Sequence, residues 1–209
     1  MEGRAYCLKG EYMKKIVVAT KNKGKIREMM AAFDSLEVEL VPLSDFGELP
    51  DAVEDGETFE ENALIKARFY MEQTGCACLA DDSGLEVEAL DWAPGVYSAR
   101  FAGYHADDKA NNDKLLSELA KLGKNESKAR YACVLAFVDI NGKELTAKGT
   151  CNGVIRSIAR GNGGFGYDPY FYISEEKTMA ELTLEEKDKI SHRGSALREM
   201  AVKLAGQLK

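Results

Sequence analysis

The chain has 209 residues, 45% hydrophobic and 30% charged, with a net charge of −7; that is apolar mass enough for a sizeable core in one ordinary globular domain, and too acidic a balance for a generic nucleic-acid-binding surface. No apolar run approaches membrane-spanning length, so no membrane-spanning helix is expected. Five cysteines, an odd number with no C-x-x-C pair, and only two histidines point to reduced, packed thiols in a cytoplasmic protein rather than to disulfides or a zinc site.

The first twelve residues, MEGRAYCLKGEY, lack the long apolar core of a secretory signal, and residues 1–13 read as a loose N-terminal extension ahead of a single domain over 14–209. Lys15 to Thr20 (KIVVAT) is a continuous apolar strand ending in polar residues, and Ile26, Met29, Met30 and Phe33 then fall on one face of a helix. Thr58 and Glu61 form a capping box for a second helix running toward Gly75, with Phe59, Leu64, Ala67 and Met71 inward. Cys76 to Ala80 is a short buried strand, and Leu85, Val87 and Ala89 alternate with Glu86 and Glu88 in the next, with Asp81-Asp82-Ser83-Gly84 as the turn between them. Leu115, Leu119 and Leu122 mark a third helix. Ala129 to Ile140 and Lys143 to Val154 flank Asn141-Gly142, a strong hairpin signal. Thr183 with Glu186 repeats the capping-box pattern, and Ser191 can cap a last helix carrying Leu197, Met200, Ala201 and Leu204 on one face. Strand-helix-strand units joined to a hairpin predict an α/β fold with a mixed, partly antiparallel central sheet flanked by helices.

Four stretches carry chemistry. In TKNKGK (Thr20, Lys21, Asn22, Lys23, Gly24, Lys25) a strand hands over to a helix, so free backbone N–H groups and the positive end of the helix dipole meet three lysines. This reads either as a polyphosphate cradle or as a solvated basic turn; it is not a Walker loop, because Ile26 stands where Ser or Thr should bind the metal. Asp81 and Asp82 end an apolar run, where two anions repel each other and resist desolvation, so a cation is expected beside them. Hard oxygens near a phosphate site suit Mg²⁺. Successive side chains in an extended segment point to opposite sides, so one aspartate should face the metal while the other orients neighbouring groups; plain turn chemistry is the competing reading. Glu54, Asp55, Glu57, Glu60 and Glu61 offer a further ligand, although most of them read as solvated or helix-start charges.

GGFGYDP, residues 163 to 169, combines glycines that permit close backbone approach with Phe165 and Tyr167, whose faces can stack a base, and the acceptor Asp168. A core strand turning through glycines is its alternative. Ser191-His192-Arg193 sets two basic residues at a helix start, where they oppose the dipole and gain nothing structurally. Both can donate to a carbonyl, which a 6-keto purine has and adenine lacks.

Taken in order, TKNKGK, ADDSGLEV with GVYSARF, GGFGYDP and EEKDKISHRGSAL make the sequence resemble the inosine/xanthosine triphosphate pyrophosphatase family from about Lys14 to the C-terminus. The resemblance implies Mg²⁺-dependent cleavage between the α and β phosphates of ITP, dITP or XTP, giving a nucleoside monophosphate and pyrophosphate and clearing deaminated purines from the nucleotide pool. It further implies a cytoplasmic homodimer and two lobes around a cleft. By matching position, Thr20, Asn22 and Lys25, with Lys21, Lys23 and Gly24 of the same block, would hold the triphosphate. Asp82 would bind the metal and activate water, and Ser83 would touch the substrate. Phe165, Gly166, Tyr167 and Asp168 would form the base and sugar pocket, Lys187 would reach the nucleotide, and His192 with Arg193 would read the base carbonyls. The resemblance makes Glu54 the second metal ligand, with Glu57 its competitor, and Arg100 a residue lining the cleft. A nucleotide-binding module without turnover is the reading from another class; Asp82 beside the lysine block argues against it, since a pure sensor needs no water-activating carboxylate.

Overall fold

A strand flanked by parallel neighbours and covered on both faces needs an unbroken apolar run, and Ile16, Val17, Val18 and Ala19 supply one, none more than 2% exposed. They belong to β1 (Lys14–Val18) or directly follow it. The computed structural model describes residues 14–34, 36–103 and 107–208; the expected extension over residues 1–13 lies outside them. With β2 (Val38–Pro42), β3 (Ala77–Val87), β4 (Glu126–Val138), β5 (Glu144–Arg156) and β6 (Phe171–Tyr172), β1 forms a six-stranded sheet in the order β2-β1-β3-β4-β5-β6. β1 runs parallel to β2 and β3, and β5 antiparallel to β6. The helices are α1 (Lys23–Phe33), α2 (Phe59–Thr74), α3 (Asp108–Lys121), α4 (Leu184–Ile190) and α5 (His192–Leu208). The mixed sheet flanked by helices is the one the sequence predicts. Among the described residues no helix is long and apolar enough to cross a membrane.

The chain divides into two compact units, Met1–Asp82 with Val134–Lys148 and Ala196–Lys209, and Ser83–Cys133 with Gly149–Ser195. In the first, Val17 and Ala19 of β1, Cys78 and Ala80 of β3 and Ala136 and Val138 of β4 pack with Ala63, Ala67 and Tyr70 of α2. The inward stripe of α2 is thus rotated from the expected one: Phe59, Leu64 and Met71 are only partly buried at its margin, because the small side chains of Ala63 and Ala67 let the helix approach the sheet on that side. In the second unit, Leu85 and Val87 pack with Leu115 and Leu119 of α3, Tyr131, Ile155, Phe171 and Met179.

Three expectations need correcting. Asp81 to Gly84 is not a turn: β3 runs unbroken from Ala77 to Val87. β3 lies between β1 and β4, its pairing with β1 covering Ala77 to Leu79, and the extension of the strand carries on through residues whose local preference is a turn. Leu122 is 53% exposed rather than inward, because α3 ends at Lys121 and the chain leaves through Gly123 at φ +67°. Cys78, Cys133 and Cys151 are free thiols as expected, but Cys76 is disulfide-bonded. Strand β2 (VELVP) was not expected at all; five residues with one acidic side chain and a terminal proline carry too short a pattern to be distinguished from loop.

Candidate active site

The first unit gathers the acidic and basic residues. Asn22 is the N-cap of α1, its Oδ1 accepting from the N–H groups of Gly24 at 2.8 Å and Lys25 at 3.2 Å. Thr20 Oγ1 accepts from the Asn22 N–H at 3.2 Å. Both residues therefore shape the turn; Lys23 is exposed beyond it, and Lys21, also exposed, pairs with Asp51. Lys25 turns inward: its Nζ lies 2.8 Å from Oδ2 of the fully buried Asp81. The cation demanded by the paired aspartates is thus supplied in part by the lysine block itself.

The rest comes from Lys66, which the motif reading missed. Its Nζ donates to the Asp81 carbonyl at 3.0 Å and pairs with Glu54 Oε2 at 2.7 Å. Burial pulls this ammonium down, but the carboxylates of Asp81, Glu54 and Asp82 outweigh burial and hold its pKa above the usual lysine value. The signal lay in α2: Lys66 follows the buried Asn62 by four residues and precedes the buried Ala67 by one, and a lysine at the edge of an inward stripe needs a carboxylate partner. Asp82 shares this acidic neighbourhood. Burial pushes its carboxyl up to about 6, Lys66 and Lys25 pull against that shift, and Glu54 and Asp81 add to it. Hard oxygen donors such as these carboxylates are of the kind that fit Mg²⁺.

The second unit gathers the expected base-pocket residues around one buried carboxylate. Asp168, 3% exposed, accepts from the Phe165 N–H at 3.0 Å, from Lys187 Nζ at 2.8 Å and, through Oδ1, from the Tyr131 hydroxyl at 3.1 Å. Lys187 Nζ also sits 4.5 Å from the Phe165 ring centroid, and the Arg193 guanidinium 5.8 Å from it. Arg193 Nη2 donates to Ser83 Oγ at 2.9 Å, which brings the block after the aspartates to the block at the start of α5. His192 stacks on Tyr131, ring centroids 4.8 Å apart and planes at 17°. Tyr167 donates its hydroxyl to the Ser98 carbonyl at 2.8 Å. Arg100 lies over the Tyr97 ring at 5.2 Å. His192 and Arg193 are both buried at the first turn of α5, against the dipole, as their sequence position indicated. Tyr131 was also missed: burial, then Asp168, raise its hydroxyl well above the usual tyrosine range. The alternation Ala129, Tyr131, Cys133 in β4 points it inward, where a tyrosine hydroxyl needs an acceptor.

The model of the Ham1 family matches residues 16–203. This chain belongs to the Ham1 family. A relative from Geobacter sulfurreducens named dITP/XTP pyrophosphatase is 54% identical over 186 residues, 88% of this chain and 94% of the relative. One of the same name from Bacillus cereus is 50% identical over 197 residues, 93% of this chain and 96% of the relative. The solved structure of a HAM1 protein from Coxiella burnetii matches with a TM-score of 0.85 at 43% identity, covering 93% of this chain and 100% of that one.

In this Ham1 chain the GGFGYDP turn depends on its glycines for space as well as conformation. Gly164 has φ +74°, and a Cβ there would run into the Asp168 carboxylate. Gly164→Ala is therefore expected to destabilise the protein by about 1–3 kcal/mol through left-handed strain and displacement of Asp168. Thermal melting checks it; a wild-type melting temperature would mean that the turn relaxes freely.

Proposed function

We propose that this Ham1 protein is a Mg²⁺-dependent pyrophosphatase that hydrolyses ITP, dITP and XTP to the monophosphate and pyrophosphate, acting as a cytoplasmic homodimer that removes deaminated purines from the nucleotide pool. The observation that carries the reading is Asp82, a buried carboxyl raised to about 6 within a cluster of carboxylates and lysines, in a chain about half identical to proteins named dITP/XTP pyrophosphatase.

Glu54 and Asp82 would hold the Mg²⁺, which when bound supplies charge neutralisation at the phosphates. Lys21 and Lys23, solvent-facing at the start of α1, and the N–H groups of its first turn meet the triphosphate. Lys25 and Lys66 keep the carboxylates ordered, Lys25 at Asp81 and Lys66 at Glu54. Asp82 positions the attacking water and accepts its proton at a carboxylate oxygen. In the second unit Phe165 offers a ring face to the base, and Asp168 and Lys187 fix that ring's surroundings. His192 and Arg193 donate to the 6-keto oxygen. Adenine would not offer the keto oxygen these donors meet, at about 1–3 kcal/mol for each lost hydrogen bond.

The test is pyrophosphate release from ITP, dITP, XTP, GTP and ATP, with and without Mg²⁺. Mg²⁺-dependent release from the first three alone is expected. Equal release from all five would keep the chemistry and remove the keto-reading pocket, and release from none would leave a binding module.

A further inference from the structure

Gly166 occupies the centre of the GGFGYDP turn in a left-handed conformation, φ +62°, which glycine adopts without cost. Its peptide groups are gripped from outside the turn. The Gly166 N–H donates to Asp108 Oδ2 at 2.7 Å, and the Gly166 carbonyl accepts from Asn112 Nδ2 at 3.0 Å. Asp108 and Asn112 stand four residues apart on α3, hence on one face of it. Asn112 Nδ2 also donates to the Asp108 carbonyl at 2.8 Å, so both amide hydrogens are engaged. This fixes the orientation of the amide, because reversal would set Oδ1 against two carbonyl oxygens.

The arrangement costs something in stability. Asn112 is 7% exposed, and its Oδ1 is buried without a hydrogen bond from the described residues, a state that ordinarily destabilises a fold. A side chain kept at that cost, with its two donors aimed at one turn of backbone and at the residue that holds the same turn, is better explained by what it positions than by the packing of α3. The neighbours of Gly166 are held separately, Phe165 through its N–H to Asp168 and Tyr167 through its hydroxyl to Ser98. Gly166 is held by α3.

We propose that Asp108 and Asn112 are positioning residues for the nucleotide: by clamping both peptide groups of Gly166 they set the plane of Phe165 and so the affinity and base selectivity of the pocket. The inference rests on the pyrophosphatase reading above. The clamp touches neither the phosphates nor the attacking water, so its loss falls on substrate binding rather than on the chemical step.

Steady-state kinetics of Asn112→Ala, Asp108→Ala and Asp108→Asn with ITP and ATP test it. Both alanine variants should raise KM for ITP about tenfold with kcat changed by no more than about twofold, since misplacing a binding element spares the reacting groups. The preference for ITP over ATP should narrow in parallel. Asp108→Asn, which retains an oxygen able to accept from the Gly166 N–H, should recover most of the lost affinity. Asp108 is exposed, so its variants fold even where Asn112→Ala does not. Wild-type KM and selectivity in Asp108→Ala, or loss of kcat and melting temperature at unchanged KM, would overturn the clamp alone. Absence of ITP turnover in the wild type would overturn the underlying reading and the clamp's role with it.

Discussion

Asp82→Asn is expected to reduce pyrophosphate release from ITP by about 10²–10⁴-fold, the usual contribution of a positioned general base, while leaving the metal-free protein at least as stable as the wild type at pH 7. The two halves of this result have one cause. Burial raises the Asp82 carboxyl from 3.8 to about 6, so the folded state binds its proton more tightly than the unfolded chain does. The stabilisation this gives is complete below pH 3.8, falls as pH rises, and is gone above about 6. At about 1.4 kcal/mol for each pH unit of displacement, ionised Asp82 is a burden on the order of 3 kcal/mol at neutral pH. Asparagine fills the same volume without a charge. Lys25 keeps Asp81 as a partner, and Lys66 keeps Glu54 and the Asp81 carbonyl. Melting in chelator should therefore weaken from pH 5 to pH 7 in the wild type and much less in the variant, and added Mg²⁺ should stabilise the wild type more than the variant at pH 7. Full activity in Asp82→Asn would remove it from the chemistry, and identical pH dependence of melting in the two proteins would show that its burial is not what titrates.

How much of this was legible in the sequence differs by kind of signal. Helices announced by capping boxes were readable to the residue: Thr58 with Glu61 and Thr183 with Glu186 form both reciprocal bonds. Strands with long apolar runs and the Asn141-Gly142 hairpin were also readable. The failure at Asp81 to Gly84 is instructive because its residues favour a turn locally, whereas the sheet that β3 belongs to is built from strands remote in sequence. Local preference cannot report a partner strand, so interior strands with polar interruptions are where sequence reading breaks down.

The site divides in the same way. Residues in dense motifs were located, and their types implied their partners: two aspartates implied a cation. The sequence pointed to Mg²⁺ there and did not show that Lys25 and Lys66 also stand beside Asp81. Lys25 stood in a motif already read as phosphate-binding, and Lys66 sat alone in a helix as one more basic residue. Tyr131, Asp108 and Asn112 were invisible for a related reason. Each acts by contacting a motif from another element, and a contact across tens of residues leaves no spacing in the sequence. What a single chain can show is an inward polar side chain that must have a partner, which holds for Lys66, Tyr131 and Asn112 alike.

Asp168→Ala should be the most destabilising of these substitutions, lowering stability by about 3–5 kcal/mol, as expected when one partner of a buried ion pair is removed. The carboxylate takes hydrogen bonds from Lys187, Phe165 and Tyr131, and Lys187 is 6% exposed, so its ammonium would lose this counter-ion in a place where water cannot replace it. For a chain of this length the melting temperature should fall by about 10 °C. Asp168→Asn should cost less, because its oxygen can still accept from Tyr131 or from the Phe165 N–H, but its amide would face the Lys187 ammonium with a donor. The decisive comparison is Asp168→Ala with Lys187→Met, alone and combined. If the lost counter-ion is the cause, the double variant should be more stable than Asp168→Ala alone, the non-additivity expected of residues in contact. Its affinity for ITP should nevertheless stay low, because Phe165 would have lost both the acceptor that holds its backbone and the cation at its ring face. A double variant no more stable than Asp168→Ala would place the cost in the tyrosine and backbone bonds instead. Recovery of ITP affinity along with stability would mean that Asp168 serves the fold and not the pocket. A double variant that recovers stability but not ITP affinity would mean that the buried pair is retained for what it orients, the ring of Phe165.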